Sequence, residues 1–186
     1  MNALHFIKEY IKHPRAVGAI MPSSKKLVKQ IMDIISFQNN TCIVEYGAGT
    51  GVLTEQLIKN RQPHTALLII ERNKKFHEIL CRKYGHLNNI YIVHGSAEHI
   101  EKYMKQFSIT QIDYVVSGLP FTSLPPSMSQ LILKKTAQLL GTNGTFITFQ
   151  YSKVKQPFFK VFFNQIENKK VYWNVPPAYI FTCKNI

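Results

Sequence analysis

A glycine-rich turn in the first third of the chain has the strongest chemical pattern in the sequence. Gly47, Gly49 and Gly51 lie between an apolar run and an amphipathic run, VEYGAGTGVLTEQL. Small residues there let a ligand approach the backbone, and the helix N-terminus offers it free N–H groups. The spacing is GxGxG, and Val52 stands where a dinucleotide-binding GxGxxG would have its third glycine, which disfavours NAD. Glu71, roughly 20 residues beyond the turn, can accept hydrogen bonds from ribose hydroxyls.

Alternating strand and helix patterns surround this turn and indicate an α/β sheet. The strand candidates are apolar runs, several continuous enough for buried parallel strands, at 41–46, 65–71, 89–94, 112–117 and 144–151. Helical patterns fill the gaps, and one more precedes the first strand, with Ser23 or Ser24 as its cap. Near the end, KKVYWNV and PAYIFTC flank a proline pair and predict an antiparallel pair. We expect a mostly parallel sheet of seven strands with an antiparallel edge strand and helices on both faces.

Composition points to one domain with an anionic partner. The 186 residues are 45% hydrophobic and carry a formal charge of +13, which favours nucleic acid or an anionic membrane surface as partner. Cys42, Cys81 and Cys183 lack the spacing of a disulfide framework or a zinc site, so we expect no metal and a reducing, cytoplasmic location. No apolar run reaches the length of a spanning helix, and the charged N-terminus is unlike a signal peptide.

Four motifs resemble the successive motifs of class I S-adenosylmethionine-dependent methyltransferases: EYGAGTGVLTEQL, ERN after the second strand, GSAEHI after the third and SGLPF after the fourth. The resemblance spans most of residues 41–151 and implies a Rossmann-like fold. Two branches of the class look similar: bacterial phosphatidylethanolamine N-methyltransferases and, more distantly, rRNA adenine dimethyltransferases. The first resemblance extends further, because FIKEYIKHPRAVGAIMPSSKKL at the front and NVPPAYIF at the end also look like that branch.

The resemblance implies S-adenosylmethionine as cofactor and S-adenosylhomocysteine as product. By position, the glycines would line the methionine part, Glu45 would face its amino group, Glu71 would hold the ribose and Arg72 would flank the adenine. Ser96 departs from the family, which usually has an acidic residue there. The expected cofactor-binding residues are Glu45, Gly47, Ala48, Gly49, Gly51, Glu71, Arg72, Ser96, Ala97, Glu98 and Ser117.

The loop after the fourth strand separates the two branches. Adenine enzymes of this type have an Asn or Asp at the position of Gly118. The side-chain oxygen of that residue and a backbone carbonyl accept hydrogen bonds from the adenine amino group, which localises the nitrogen lone pair. An alkyl amine already has a localised lone pair but must lose a proton, because its pKa resembles the value of about 10.4 for lysine. Apolar walls from Phe121, Leu124 and Pro125 would favour the free base. The loop therefore predicts methyl transfer to phosphatidylethanolamine or its partly methylated forms.

The proton acceptor is predicted from position alone. Tyr151, directly after the fifth strand, is the first candidate, with Tyr10, His13 and Glu98 behind it. A packing role for Tyr151 and a loop role for His13 stay open. The expected catalytic set is Tyr151, Gly118, Leu119, Pro120, Phe121, Tyr10 and His13.

The N-terminal segment predicts a short basic amphipathic helix. Its apolar positions at helical spacing lie opposite charged ones and are Leu4, Ile7, Tyr10 and Ile11. Such a helix can lie on an anionic membrane or cap the cofactor pocket. We expect a single domain, 1–186, in which residues 1–36 form the lid or membrane contact and residues 41–186 form the core, peripherally attached to the inner face of the membrane.

Three alternative functions stay open. An rRNA adenine methyltransferase would use the same lysines for phosphate, although we see no RNA-binding motif and no room for the extra RNA-binding domain of the rRNA dimethyltransferases. A small free amine is an alternative substrate. A non-catalytic basic module could keep the fold as a scaffold. The sequence leaves the oligomeric state unknown.

Overall fold

Seven strands form one sheet within residues 22–154, 156–172 and 177–185, the residues that the computed structural model describes. The strands are β1 Cys42–Tyr46, β2 Ala66–Glu71, β3 Ile90–His94, β4 Tyr114–Ser117, β5 Thr145–Gln150, β6 Gln165–Val171 and β7 Ala178–Lys184. Their order is β3-β2-β1-β4-β5-β7-β6, and only the pairs made by β7 are antiparallel. Strands β1 to β5 therefore all end at one side of the sheet, called the carboxyl edge below.

Helices cover both faces of this sheet in the described part of the chain. They are α1 Pro22–Met32, α2 Val52–Asn60, α3 Lys74–Tyr84, α4 Ile100–Gln106, α5 Pro126–Leu140 and α6 Gln156–Phe159, with a 3-10 turn at Ala97–His99.

Alternate strand residues point to opposite faces, so the strands feed two cores. The core beneath α1, α2 and α3 includes Leu27, Ile31, Ile43, Leu53, Leu57, Leu67 and Leu80. The core beneath α4, α5 and α6 includes Val44, Leu68, Ile100, Met104, Ile132, Leu133 and Phe159.

The predicted fold class is confirmed, and the first five strands fall within two residues of their predicted ends. The sixth strand was predicted too late. It occupies Gln165–Val171 rather than 169–175, because Gln165 to Asn168 pair with Lys184 to Phe181 of β7. Three of these four residues are polar, which suits an edge strand, whose outer positions need no apolar side chain.

The expected antiparallel pair closes one edge of the sheet, where β7 pairs antiparallel with β5 and with the edge strand β6. One further detail differs from the expectation. Helix α1 begins at Pro22, a residue type that suits the first helical turn, so Ser23 and Ser24 fall inside the helix instead of capping it. The predicted amphipathic helix, with Tyr10 and His13, lies outside the described residues. No helix of the described ranges is long and apolar enough to cross a membrane.

Candidate active site

The glycine turn between β1 and α2 lies at the carboxyl edge and leaves an opening above its middle residue. The Gly47 N–H donates to the carbonyl of Ile70 at 2.8 Å, which ties the turn to β2. Gly49 has φ +57°, and a Cβ placed on it would meet no heavy atom within 4 Å. A ligand can therefore approach the Gly49 backbone directly, whereas a side chain there would be strained and would project into the open space.

Glu71, at the end of β2, holds this turn with both carboxylate oxygens. Its Oε2 accepts from the Gly49 N–H at 2.8 Å and its Oε1 from the Asn73 N–H at 2.7 Å. Asn73 in turn caps α3, because its side chain accepts from two N–H groups of the first turn. Each carboxylate oxygen has a second lone pair, so Glu71 can still accept hydroxyl hydrogen bonds from a ribose.

Glu45, on β1, presents a buried carboxylate that is only half satisfied. Its Oε2 accepts from the Thr54 hydroxyl at 2.7 Å, while Oε1 has no hydrogen-bond partner among the described residues. Burial raises the pKa of Glu45 to about 7; the hydrogen bond from Thr54 opposes this rise, and the nearby charge of Glu71 adds to it. A buried carboxylate oxygen without a partner is costly and fits a cationic donor such as an amino group.

The loop after β4 lies against the glycine turn. The Gly118 N–H donates to the carbonyl of Tyr46 at 2.8 Å. A Cβ on Gly118 would stand 2.8 Å from the carbonyl oxygen of Gly47, closer than such atoms approach in proteins. Any side chain at this position therefore requires a backbone shift, so the structure closes the place where adenine enzymes have Asn or Asp.

Carbonyl groups of the same loop are bound by side chains of β5. Thr148 donates to the carbonyl of Ser117 at 3.1 Å, and Gln150 Nε2 donates to the carbonyl of Leu119 at 3.0 Å. The Leu119 carbonyl also accepts the Phe121 N–H at 3.0 Å, so two donors use its two lone pairs. Sequence reasoning missed Thr148 and Gln150. The available signal was two polar residues at alternate positions in the second half of the strand TFITFQ.

Comparison with known proteins decides the family. The ribosomal RNA adenine dimethylase family matches residues 21–156. The chain belongs to this family. It is 30% identical over 183 residues to the ornithine lipid N-methyltransferase of Singulisphaera acidiphila, covering 97% of this chain and 95% of that protein. It is also 30% identical over 119 residues to the rRNA adenine N-6-methyltransferase of Bacillus licheniformis, covering 64% of this chain but only 38% of that protein.

Solved structures agree on the fold of this methyltransferase. Fibrillarin of Aeropyrum pernix, solved with natively bound S-adenosyl-L-methionine, superposes with a TM-score of 0.62 at 14% identity, covering 85% of this chain and 74% of that one. The methyltransferase is thus a Rossmann-like, S-adenosylmethionine-dependent enzyme. Its own residues fit the cofactor: an opening above Gly49, an acceptor pair at Glu71 and an unpartnered carboxylate oxygen at Glu45.

After β3, Ser96 stands where the family usually has an acidic residue, and the carboxylate of Glu98 lies next to its hydroxyl. Ser96 donates to Glu98 Oε2 at 2.8 Å, beside the buried Ala97. Glu98 follows β3, which lies three strand positions from β4, or about 14 Å at the usual strand spacing. This separates Glu98 from the loop after β4, residues 118–125, which we call the substrate loop, and leaves it at the expected adenine end of the cofactor. Arg72, at the end of β2, is exposed, and its carbonyl bonds with His94 Nε2 at 3.0 Å.

Phe121 does not form the apolar wall that the sequence suggested. Its side chain is 0% exposed and packs edge-on against Phe146 and Phe159, with ring centroids 6.1 and 5.6 Å away. The ring belongs to the core because the tight turn after Pro120, whose carbonyl accepts two N–H groups, directs the ring inward. Of the three expected wall residues, Leu124 is half-buried and Pro125 is exposed.

Tyr151 lies directly after β5 at the carboxyl edge and is half-buried. Its ring packs edge-on against Phe149, with centroids 6.4 Å apart, in the core beneath α1, α2 and α3. Gln150 points to the opposite face of the sheet. The proton-acceptor role of Tyr151 stays a prediction, as do those of Tyr10 and His13.

Proposed function

We propose that this methyltransferase transfers methyl groups from S-adenosylmethionine to the amine of a membrane lipid at the inner membrane surface. Phosphatidylethanolamine and its methylated derivatives are the first candidate substrates. The observation that carries the proposal is the substrate loop. The Gly47 carbonyl leaves no room for a side chain at Gly118, and the Leu119 carbonyl already accepts two hydrogen bonds, from Gln150 and Phe121.

The chemistry of the acceptor explains why this loop matters. The lone pair of an adenine amino group is delocalised into the ring, so an enzyme must hold both hydrogens with acceptors to localise it. Gly118 offers no side-chain oxygen, and the Leu119 carbonyl has no lone pair left. An alkyl amine needs no such grip, because its lone pair is localised once the proton is lost. The loop therefore suits an alkyl amine better than adenine.

Similarity to a lipid enzyme supports the same class of substrate. The ornithine lipid N-methyltransferase matches almost the whole of both chains, whereas the rRNA methyltransferase of Bacillus licheniformis matches this chain over 38% of its own length. Ornithine and ethanolamine both carry a primary alkyl amine, so either headgroup meets the requirement of the loop.

The chain's residues divide the work of binding and orientation. When bound, S-adenosylmethionine supplies an electrophilic methyl group for in-line displacement. Glu45 holds the amino group of the cofactor, Glu71 accepts from the ribose hydroxyls, and Ser96 with Glu98 accepts from the adenine amino group. Tyr151, after β5, accepts a hydrogen bond from the incoming ammonium group and relays its proton to solvent, which leaves the amine lone pair free to attack the methyl group, so that positioning and proton removal provide the catalysis.

Transfer of labelled methyl to separate acceptors tests this proposal. Wild-type protein receives vesicles with phosphatidylethanolamine, vesicles with ornithine lipid, or total rRNA, at one moderate salt concentration. We expect label in lipid. Label in RNA alone would show that other groups grip adenine here and would assign the family's rRNA chemistry to this chain.

A Gly49→Val variant is the control for this assay. Its side chain would fill the opening above the turn, so cofactor binding and label transfer should disappear together. Saturable cofactor binding at wild-type affinity in this variant would contradict the pocket assignment. No cofactor binding by the wild-type protein would leave only a basic scaffold.

A further inference from the structure

A basic and apolar surface lies at the carboxyl edge, beyond the substrate loop. It consists of Lys153 and Val154 after β5, Lys170 and Tyr172 at the end of β6, and Tyr179 at the start of β7; we call it the tyrosine patch. Val154 and Tyr172 are 76% and 71% exposed, among the most exposed large apolar side chains of the described residues.

Pairing of the strands connects this patch to the substrate loop. Gln150 of β5 is paired with Tyr179 of β7, and Tyr179 is paired with Lys170 of β6. Directly paired residues share a face of the sheet, so the three side chains form one row along the carboxyl edge. The row begins at the Leu119 carbonyl, which Gln150 binds. The patch therefore continues the edge that carries the substrate loop.

Two lysines converge on one ring in this patch. Lys153 Nζ lies 5.2 Å and Lys170 Nζ 5.9 Å from the ring centroid of Tyr179, and Lys170 Nζ is 4.6 Å from that of Tyr172. The aromatic rings hold the ammonium groups at the surface without neutralising their charge. Neither lysine forms an ion pair with a carboxylate of the described residues.

The surrounding sequence is strongly basic. Residues 151–186 contain six lysines and a single acid, Glu167. Glu167 lies three residues before Lys170 on β6, about 10 Å along the strand, where Gln165 donates to its carboxylate at 3.3 Å. Exposed apolar side chains beside uncompensated lysines match an anionic lipid surface, which offers phosphates to the lysines and an interfacial layer to Val154 and Tyr172.

We infer that the tyrosine patch contacts an anionic lipid bilayer and presents the substrate loop to it. This inference rests on the proposed lipid substrate. It adds an attachment surface that does not depend on the N-terminal segment, and it orients the carboxyl edge towards the membrane. Because Tyr and Lys both suit the headgroup layer, the contact is interfacial and reversible.

Co-sedimentation with vesicles that contain no methyl acceptor tests the patch by itself. Phosphatidylglycerol vesicles provide the anionic surface and phosphatidylcholine vesicles the zwitterionic one. We expect wild-type protein to bind the first more tightly. The variant Lys153→Gln/Lys170→Gln should bind roughly 30-fold more weakly, because each lysine near an anionic surface contributes roughly a factor of five. Val154→Ser should weaken binding as well.

Matched controls exist elsewhere on the chain. Lys102→Gln/Lys105→Gln removes the same charge from exposed positions on α4, which follows β3 at the opposite end of the sheet. Val161→Ser removes a side chain of similar exposure, 73%, on the segment that leads away from the carboxyl edge towards the start of β6. Both controls should keep wild-type binding, and thermal melting should confirm that all variants fold.

The outcomes separate this inference from the proposed function. In detergent micelles of lipid, the Lys153→Gln/Lys170→Gln variant should keep its methyl transfer, because its site is intact. Wild-type vesicle affinity in that variant, or equal losses in the controls, would overturn the patch even if lipid is methylated. Patch-dependent vesicle binding without any lipid methylation would uphold the contact and refute the function. If the Lys153→Gln/Lys170→Gln variant loses RNA binding but keeps vesicle binding, the lipid contact is overturned in favour of an RNA contact.

Discussion

Glu45 allows the sharpest test of the cofactor pocket, because its ionisation should act on stability and on cofactor binding with opposite signs. Burial raises its pKa from the ordinary value of 4.5 to about 7. Between these two values the folded chain holds a proton that the unfolded chain releases, so this residue's contribution to stability is full below pH 4.5 and is lost as pH rises through 7. At about 1.4 kcal/mol per pKa unit, the total is about 3 kcal/mol.

The variant Glu45→Gln removes the titration while keeping an acceptor for Thr54. Urea unfolding of both proteins without cofactor at pH 5, 6, 7 and 8 gives the free energy of unfolding at each pH. We expect the difference between variant and wild type to move by about 2.5 kcal/mol in favour of the variant from pH 5 to pH 8. All other titrating groups cancel in that difference. A difference independent of pH would refute the raised pKa.

Cofactor affinity of the wild type should follow the opposite trend. An ammonium group bound at Glu45 Oε1 requires the ionised carboxylate, so affinity should rise with pH up to about 7 and level off above it. The fall below pH 7 is at most about tenfold per pH unit. Calorimetry with S-adenosylhomocysteine should show this for the wild type. The Gln variant should bind about 10- to 100-fold more weakly at pH 8, with no such dependence.

Three further substitutions test the turn, the loop and the helix cap. Gly118→Ala should force the Gly47 backbone to move, lowering the free energy of unfolding by about 1–3 kcal/mol and weakening cofactor binding; unchanged melting and affinity would contradict the close contact. Gln150→Met should leave the Leu119 carbonyl with a free lone pair, and it should lower the rate of methyl transfer more than it lowers cofactor affinity. Equal losses in the kinetic and binding assays would argue against a role for Gln150 in holding the substrate loop. Asn73→Ala should cost about 0.5–2 kcal/mol in urea unfolding through loss of the α3 cap, and a value near zero would mean that other groups satisfy those N–H donors.

The hydrophobic periodicity of the sequence predicted most of the fold, and the glycine-rich turn indicated the candidate cofactor site. Strands β1, β2, β4 and β5 are largely buried, so their apolar runs were visible in the sequence. The edge strand β6 is mostly exposed, and its mainly polar first half hid its start. The expectation for Glu71 came from its position at a strand end and that for Glu45 from the family resemblance, and both cofactor roles stay predictions. The inward direction of Phe121 could not be predicted, because it depends on the turn that follows Pro120 and on packing against Phe146, far away in sequence.

Long-range polar contacts were equally hidden from sequence. In the sequence, Gln150 is only the last residue of a mostly apolar strand. In the structure, its side chain donates to a carbonyl 31 residues away, in the loop that follows the neighbouring strand β4. Only the register between β4 and β5 brings the two together. The lysines of the tyrosine patch were visible as charge, but their convergence on Tyr179 required the antiparallel pairing of β6 with β7.

The contact between Gly118 and Gly47 also decides how substrate choice can change in this protein. Gly118→Asn, the substitution that would supply an adenine-gripping oxygen, brings the same Cβ that stands 2.8 Å from the Gly47 carbonyl. The new side chain would displace the glycine turn, which we expect to hold the methyl donor, before it could orient an acceptor. We therefore expect Gly118→Asn to lower cofactor affinity and to gain no methyl transfer to rRNA, as measured by calorimetry and label transfer. RNA methylation by this single variant would show that the two loops move independently and that the Asn oxygen alone selects adenine.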